Sequence, residues 1–245
     1  MTVKDKVVII TGGASGIGLA AAEKLAAEEA KIAIADVDGD KAAATARALT
    51  MKGGTATGHK VDIGNSATVR DFVGDVASQH GRIDALVHCA GICPRKPFLD
   101  MSDEEWRDVM RINLDGTFFV TQAVARVMAP QKVGTMLLLT SDRGVYGSID
   151  YAHYAATKGG MIALVKSLAM VLGEQGITVN GLNPGLTDTP LGRAANPVWE
   201  DKTKLDVLGT HSKPEEIAEI IHFMIGTSAT FMTGQIVSNR MRLGM

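Results

Sequence analysis

Short apolar, β-branched runs alternate along this chain with longer, alanine-rich stretches of helical period, and that alternation limits its fold more than any other feature. The runs lie at 6–11, 31–36, 55–61, 83–88, 134–140, 177–182 and, more weakly, 235–237. Helical patterns fall between them near 16–29, 38–51, 65–79, 102–129, 151–173 and 214–226. Nearly continuous apolar strands separated by helices predict a parallel sheet buried on both faces. Right-handed crossovers then put helices on both sides, giving an α/β, doubly wound, Rossmann-type sheet of about seven strands. No composition shift or repeat divides residues 1–245, so a single domain is expected. Residues 186–212 interrupt the rhythm with Pro190, Pro197 and several charges. A stretch that long without regular period predicts a lid over a site.

Bulk composition narrows the function. A formal net charge of −2 with no lysine- or arginine-rich stripe lacks the electrostatic footprint of a nucleic-acid binder. The apolar run after Met1–Lys6 is too short for a secretory segment, and no uninterrupted run approaches the roughly twenty apolar residues of a membrane span. The two cysteines, Cys89 and Cys93, are too few and too close for a disulfide framework, and no metal site is expected. These features together read as a cytoplasmic protein.

Ligands of doubly wound sheets bind beyond the carboxyl ends of the strands, and the unusual residues gather there. The first strand runs into Thr11-Gly12-Gly13-Ala14-Ser15-Gly16-Ile17-Gly18, which opens a helix. Glycines admit a pyrophosphate close to the backbone, and the helix amides and dipole favour its charge. No Gly-Lys-Ser/Thr follows, which disfavours an NTPase loop. Asp36 ends the second strand, where a carboxylate accepts hydrogen bonds from adenosine ribose hydroxyls and repels a 2′-phosphate, favouring NAD over NADP. Asp62 and Ile63 after the third strand, and Ala90 and Gly91 after the fourth, suit contacts to the rest of such a cofactor.

After the fifth strand come Thr140-Ser141 and then Tyr154-Ala155-Ala156-Thr157-Lys158. On a helix Tyr154 and Lys158 share a face. An ammonium beside a phenol favours the phenolate, so Lys158 is expected to pull the Tyr154 pKa down and make it a usable base. Ser141 can hydrogen-bond a substrate oxygen.

In order and spacing these motifs resemble those of the short-chain dehydrogenase/reductase family in its single-domain form, over nearly the whole chain. Thr11-Gly12-x3-Gly16-x-Gly18 is similar to the family's cofactor turn and Tyr154-x3-Lys158 to its catalytic pair, with Ser141 where the family's serine stands. Asn113 in Asn113-Leu114-Asp115-Gly116 resembles the asparagine that holds a proton-relay water. Asn183-Pro184-Gly185, with Thr187 and Thr189, resembles the stretch that orients nicotinamide. The resemblance implies hydride transfer between nicotinamide and an alcohol or carbonyl compound. Tyr154 would exchange the hydroxyl proton, Lys158 would hold the nicotinamide ribose, Ser141 would fix the substrate oxygen, and Asn113 would link Lys158 to solvent. It also implies a homotetramer or homodimer.

The chain departs from the family in two places. The usual Asn-Asn-Ala-Gly is His88-Cys89-Ala90-Gly91, and the usual Asp-Gly-Gly ending is replaced by a tail carrying Arg240 and Arg242. His88 and Cys89 are expected to pack at the strand end. Arg240 and Arg242 are near subunit interfaces by the resemblance, where a neighbour's tail could supply a cation to the site. Two rival readings are a methyltransferase, which has no need of Ser141, Tyr154 and Lys158 in register, and a catalytically silent dinucleotide-binding regulator. Substrate choice falls to residues 92–98, 142–153 and 186–211, which mix Arg95, Lys96, Asp142 and Arg143 with Tyr146, Tyr151, His153 and Trp199. Arg95, Arg143 and Tyr146 are the expected substrate contacts. Sugars, polyols, hydroxy acids, steroids and acyl thioesters all fit that mixture, with a negatively charged or densely hydroxylated substrate favoured by the arginines.

Overall fold

A computed structural model describes residues 2–196 and 207–240. Its strands are β1 (Val7–Thr11), β2 (Lys31–Asp36), β3 (Thr55–Lys60), β4 (Ala85–His88), β5 (Gly134–Leu139), β6 (Ile177–Asn183) and β7 (Ile236–Ser238). They pair in parallel as one sheet in the order β3-β2-β1-β4-β5-β6-β7. The order reverses between β1 and β4, where crossovers leave in opposite directions and open a crevice at the carboxyl edge. Thr11 at the end of β1 is level with Ala35 of β2 and His88 of β4, so three strand ends meet at that crevice.

Helices α1 (Gly16–Ala27), α2 (Gly39–Met51) and α9 (Pro214–Ile225) cover one face. Their alanine-rich stripes close on Val8, Ile10, Ile32 and Ile34. Helices α3 (Ser66–His80), α5 (Gly116–Gln131) and α7 (Ala152–Gly173) cover the other, over Ile9, Leu86, Met136 and Val179. Apolar side chains alternate between these two cores along each central strand, which explains why the strands read as unbroken apolar runs.

The helical stretch near 102–129 is two helices, α4 (Asp103–Met110) and α5, joined by a π-helical turn at Arg111–Asp115. That turn, with its extra residue, sits on Asn113, and π-turns of this kind gather at functional sites. Two short helices escaped the sequence pattern: α6 (Arg143–Tyr146) after β5 and α8 (Pro190–Ala194) after β6. At 22 residues and mean hydropathy 1.4, α7 is long and apolar enough to cross a membrane. In this fold the helix lies on the sheet beside β6, with Val165 and Leu172 in the core.

The expected lid falls partly outside the described residues, at 197–206. Its two ends are tied together: Thr187 and Ser212 form a parallel bridge, and the Asp188 amide donates to the Ser212 carbonyl at 2.8 Å. The outer end is short α8, capped by the Thr189 hydroxyl on the Gly192 amide at 2.9 Å.

Candidate active site

A cleft of about 410 Å³ opens at the crevice. Gly12 adopts φ +64° and passes so close to β4 that a Cβ would stand 2.9 Å from the Ala90 backbone. A side chain at Gly18 would run into the Gly12 carbonyl, so α1 packs directly against the turn. Ser15, the residue before α1, makes no side-chain cap, which leaves the first amides of the helix open toward the cleft. Gly12, Ser15, Gly16, Ile17 and Gly18 therefore form one wall.

Asp36 stands across from that wall. Its Oδ2 accepts the Ala14 amide at 3.1 Å and its Oδ1 the Asp38 amide at 3.1 Å, fixing the carboxylate at the cleft. Asp38, not Asp36, caps α2, through the Lys41 amide at 3.0 Å. Asp62 and Ile63 continue the lining, with Asp62 held by the Gly64 amide at 2.9 Å and by Arg111 at 3.2 Å. Ala90, Gly91, Pro184 and Thr189 complete it toward Tyr154 and Lys158.

A second cavity of about 110 Å³ adjoins this end and is lined by Ser141, Asp142, Arg143, Gly185, Thr187, Ala195 and Asn196, among others. Tyr154, Thr140, Pro184 and Thr189 border both cavities. Thr140 carries a buried hydroxyl with no partner among the described residues.

Tyr154 and Lys158 are both buried, at 9% and 5% exposure. Burial pushes the Tyr154 phenol above the ordinary tyrosine range, and the neighbouring Cys93 pushes the same way. The Arg143 charge and a hydrogen bond from Ser141 oppose that shift without cancelling it. Burial also lowers the Lys158 ammonium to about 8. Its Nζ donates to the Leu139 carbonyl at 2.5 Å and lies 5.6 Å from the centre of the Tyr154 ring. The expectation that Lys158 brings the tyrosine down is corrected: desolvation dominates, and Tyr154 is a protonated phenol at neutral pH.

Asn113 is buried but lines neither cavity. Its Oδ1 accepts the Ile92 amide at 2.9 Å, while its Nδ2 donates to the Ile92 carbonyl at 2.8 Å and reaches Thr157 at 3.4 Å. The side chain thus clamps the loop after β4 to the π-turn. Arg95 pairs on the outside with Asp150 at 2.7 Å, and Tyr146 is 67% exposed. Neither lines the two cavities among the described residues. The Arg95 partner comes from a loop remote in sequence, which spacing does not reveal. Of the tail arginines, Arg240 bonds Thr210 and Glu216 within its own chain, and Arg242 lies outside the described residues. Cys93, Tyr151 and Asn196 join the second cavity or its wall without having been singled out as contacts.

Residues 12–239 match the family model described as enoyl-(acyl carrier protein) reductase. The chain belongs to the short-chain dehydrogenase/reductase family. It is 33% identical to the 3-oxoacyl-[acyl-carrier-protein] reductase FabG of Aquifex aeolicus, over 96% of this chain and 95% of that one. It is also 33% identical to the D-threitol dehydrogenase of Mycolicibacterium smegmatis, over 94% and 89% respectively. The crystal structure of gox2181 superposes with a TM-score of 0.90 at 34% identity, covering 97% of this chain and 95% of that one. As a member of this family the protein is an oxidoreductase that uses a nicotinamide cofactor on alcohol or carbonyl groups.

One departure from the family pattern now has a structure. His88 is 1% exposed, and burial lowers its pKa to about 3, so it is neutral. Its Nδ1 lies 2.8 Å from the Thr11 hydroxyl and its Nε2 3.0 Å from the Thr117 hydroxyl. Thr117 already donates to the Asn113 carbonyl at 2.6 Å, so it must accept from Nε2–H, and Nδ1 accepts from Thr11. A one-way chain of hydrogen bonds therefore joins the end of β1 to the π-turn through the residue that replaces the family's asparagine. Cys89 lines the larger cleft, and burial pushes its thiol up to about 12.

Proposed function

We propose that this protein is an NAD(H)-dependent dehydrogenase/reductase that interconverts a secondary alcohol and a carbonyl compound, with Tyr154 as the acid–base. The observation that carries the reading is the position of Tyr154 between the two cavities, with Lys158 on the cleft side and Ser141 on the other. The glycine wall, the uncapped start of α1 and Asp36 fit a dinucleotide along the cleft, and the unpartnered Thr140 hydroxyl points to a missing polar ligand. Nicotinamide, when bound, supplies the hydride acceptor or donor. In carbonyl reduction Tyr154 gives its proton to the developing alkoxide, which a buried phenol of raised pKa retains until then. Ser141 donates to the same oxygen and fixes it. Lys158, charged below about pH 8, provides the positive field beside the tyrosine and the donor for a ribose hydroxyl. Asn113 supports these groups from behind through Ile92. The intact set of Ser141, Tyr154 and Lys158 favours catalysis over a silent regulator.

Asp36 supports NAD over NADP, since its carboxylate is fixed at the adenosine end and, among the described residues, Lys158 is the one lysine or arginine lining the cleft. Exposed Phe118 on α5 and Met170 and Val171 on α7 are material for a homodimer or homotetramer interface. The test is NADH and NADPH consumption with a panel of ketones, oxo acids, sugars and acyl thioesters. NADH should be favoured at least about tenfold in kcat/KM, which is roughly 1.4 kcal/mol. Equal use of both cofactors would remove the NAD assignment, and no turnover in either direction across the panel would remove the enzyme reading.

A further inference from the structure

The cavity beside Ser141 and Tyr154 is lined by Arg143, whose guanidinium forms no ion pair among the described residues. Arg143 begins α6 and is half-buried. Its Nη1 donates to the Cys93 sulfur at 3.2 Å, and its Nη2 to Asn196 Oδ1 at 3.1 Å and to the Ala195 carbonyl at 3.4 Å. The guanidinium carbon lies 4.0 Å from the centre of the Tyr151 ring and 6.0 Å from that of Tyr154. Tyr151 is itself pinned, donating its hydroxyl to the Ala195 carbonyl at 2.6 Å. Cys93, Tyr151, Tyr154 and Ala195 form a small apolar cluster around the charge.

Every one of those partners is neutral. Burial pushes the Cys93 thiol up, against the pull of Arg143, so the sulfur stays protonated. Asp142 lines the same cavity and accepts the backbone amide of Arg143 at 2.8 Å. Among the described residues no carboxylate lies in ion-pair range of Arg143. Its candidate companions at the pocket rim are all neutralised: Arg95 by Asp150, Lys96 by Glu105 and Arg193 by Asp188. A guanidinium between aromatic walls has lost much of its water, and thiol, amide and carbonyl acceptors compensate that loss poorly. An incoming anion would recover it, and the apolar walls would strengthen the pairing.

We propose that Arg143 is the anion-recognition residue of the substrate cavity, and that the substrate is a short hydroxy acid or its oxo form. Its carboxylate lies on Arg143 and its hydroxyl or carbonyl between Ser141 and Tyr154. This rests on the dehydrogenase reading above. A planar carboxylate matches the guanidinium fork with two parallel hydrogen bonds. A phosphate dianion would leave one negative charge unmatched in a small cavity that already holds Asp142. In oxidation the hydroxy acid gives a hydride, with both electrons, to NAD⁺. Tyr154 takes up the hydroxyl proton as it releases its own toward solvent, and the oxo acid remains.

The experiment compares a matched series of short 2- and 3-hydroxy acids, their methyl esters and their amides with NAD. It is run on the full-length wild type, Arg143→Met and Arg143→Lys. The acids should lead their esters by about thirtyfold or more in kcat/KM, as expected for charge-assisted hydrogen bonds. That ratio should collapse to within about threefold in Arg143→Met and fall between in Arg143→Lys, which keeps the charge without the fork. Esters, amides or neutral polyols turned over as well as acids, or a ratio unchanged in Arg143→Met, would overturn the inference and leave the dehydrogenase reading standing. If no compound turns over, the acids are tested as ligands by their effect on Tm with NADH present. A rise in wild type that Arg143→Met abolishes supports the anion site and counts against the dehydrogenase reading alone. No Arg143-dependent rise overturns the inference.

Discussion

Replacing His88 by asparagine, the residue the family uses there, should make the protein less sensitive to acid. Neutral His88 accepts from Thr11 and donates to Thr117 in a fully buried position, and its pKa falls from 6.5 to about 3 on folding. A depressed histidine leaves stability untouched above pH 6.5, where both states are neutral. Below that the unfolded chain takes up a proton that the native site refuses, so stability falls with pH until about 3. At about pH 4.5 the two units crossed are worth about 3 kcal/mol. That is a large part of the ~5–15 kcal/mol that holds a typical domain together. For a chain of this size it corresponds to a Tm difference of roughly 5–10 °C. Urea or thermal unfolding of wild type and His88→Asn at about pH 7 and pH 4.5 gives the double difference. Any loss of hydrogen bonding in the variant cancels, because it acts at both pH values. Equal acid sensitivity in the two proteins would refute the buried, neutral assignment and with it the directed chain to Asn113.

Asp36→Ala should narrow the preference for NADH over NADPH toward unity, because the fixed negative charge at the adenosine end is gone; an unchanged ratio of kcat/KM values would contradict the role of Asp36. The kcat/KM for carbonyl reduction should be flat at neutral pH and fall through about pH 8, where the buried Lys158 loses its charge. A profile flat well above that value would show that the ammonium is not needed.

Much of this arrangement is legible in the sequence because it depends on local period and spacing. The strands announce themselves because each is buried on both faces, and Tyr154 and Lys158 because one helical turn sets their separation. The glycine turn and Asp36 follow from where β1 and β2 end. What was hidden depends on burial or on partners distant in the chain. Spacing suggested that Lys158 would lower the Tyr154 pKa, but the desolvation that reverses this comes from packing by other elements. Arg95 and Arg143 look equivalent in sequence, and only the fold reveals that Asp150 takes the first while the second faces Cys93 and Asn196. The π-turn at Asn113 is concealed because one extra residue barely disturbs a helical pattern of this length. His88 was expected to pack at a strand end, and its neutrality and bonding direction required the positions of Thr11, Thr117 and Asn113.

Tyr154→Phe tests the central claim most directly. The change removes one hydroxyl between the two cavities and leaves the glycine wall, Asp36 and Lys158 in place. Single-turnover reduction of the best carbonyl substrate and equilibrium NADH binding are measured on the same preparation. A fall in the chemical step of about 10²–10⁴-fold is expected, with NADH affinity within a few-fold of wild type, as for the loss of a general acid alone. Retention of more than about a tenth of the wild-type rate would show that another group carries the proton and would contradict the assignment.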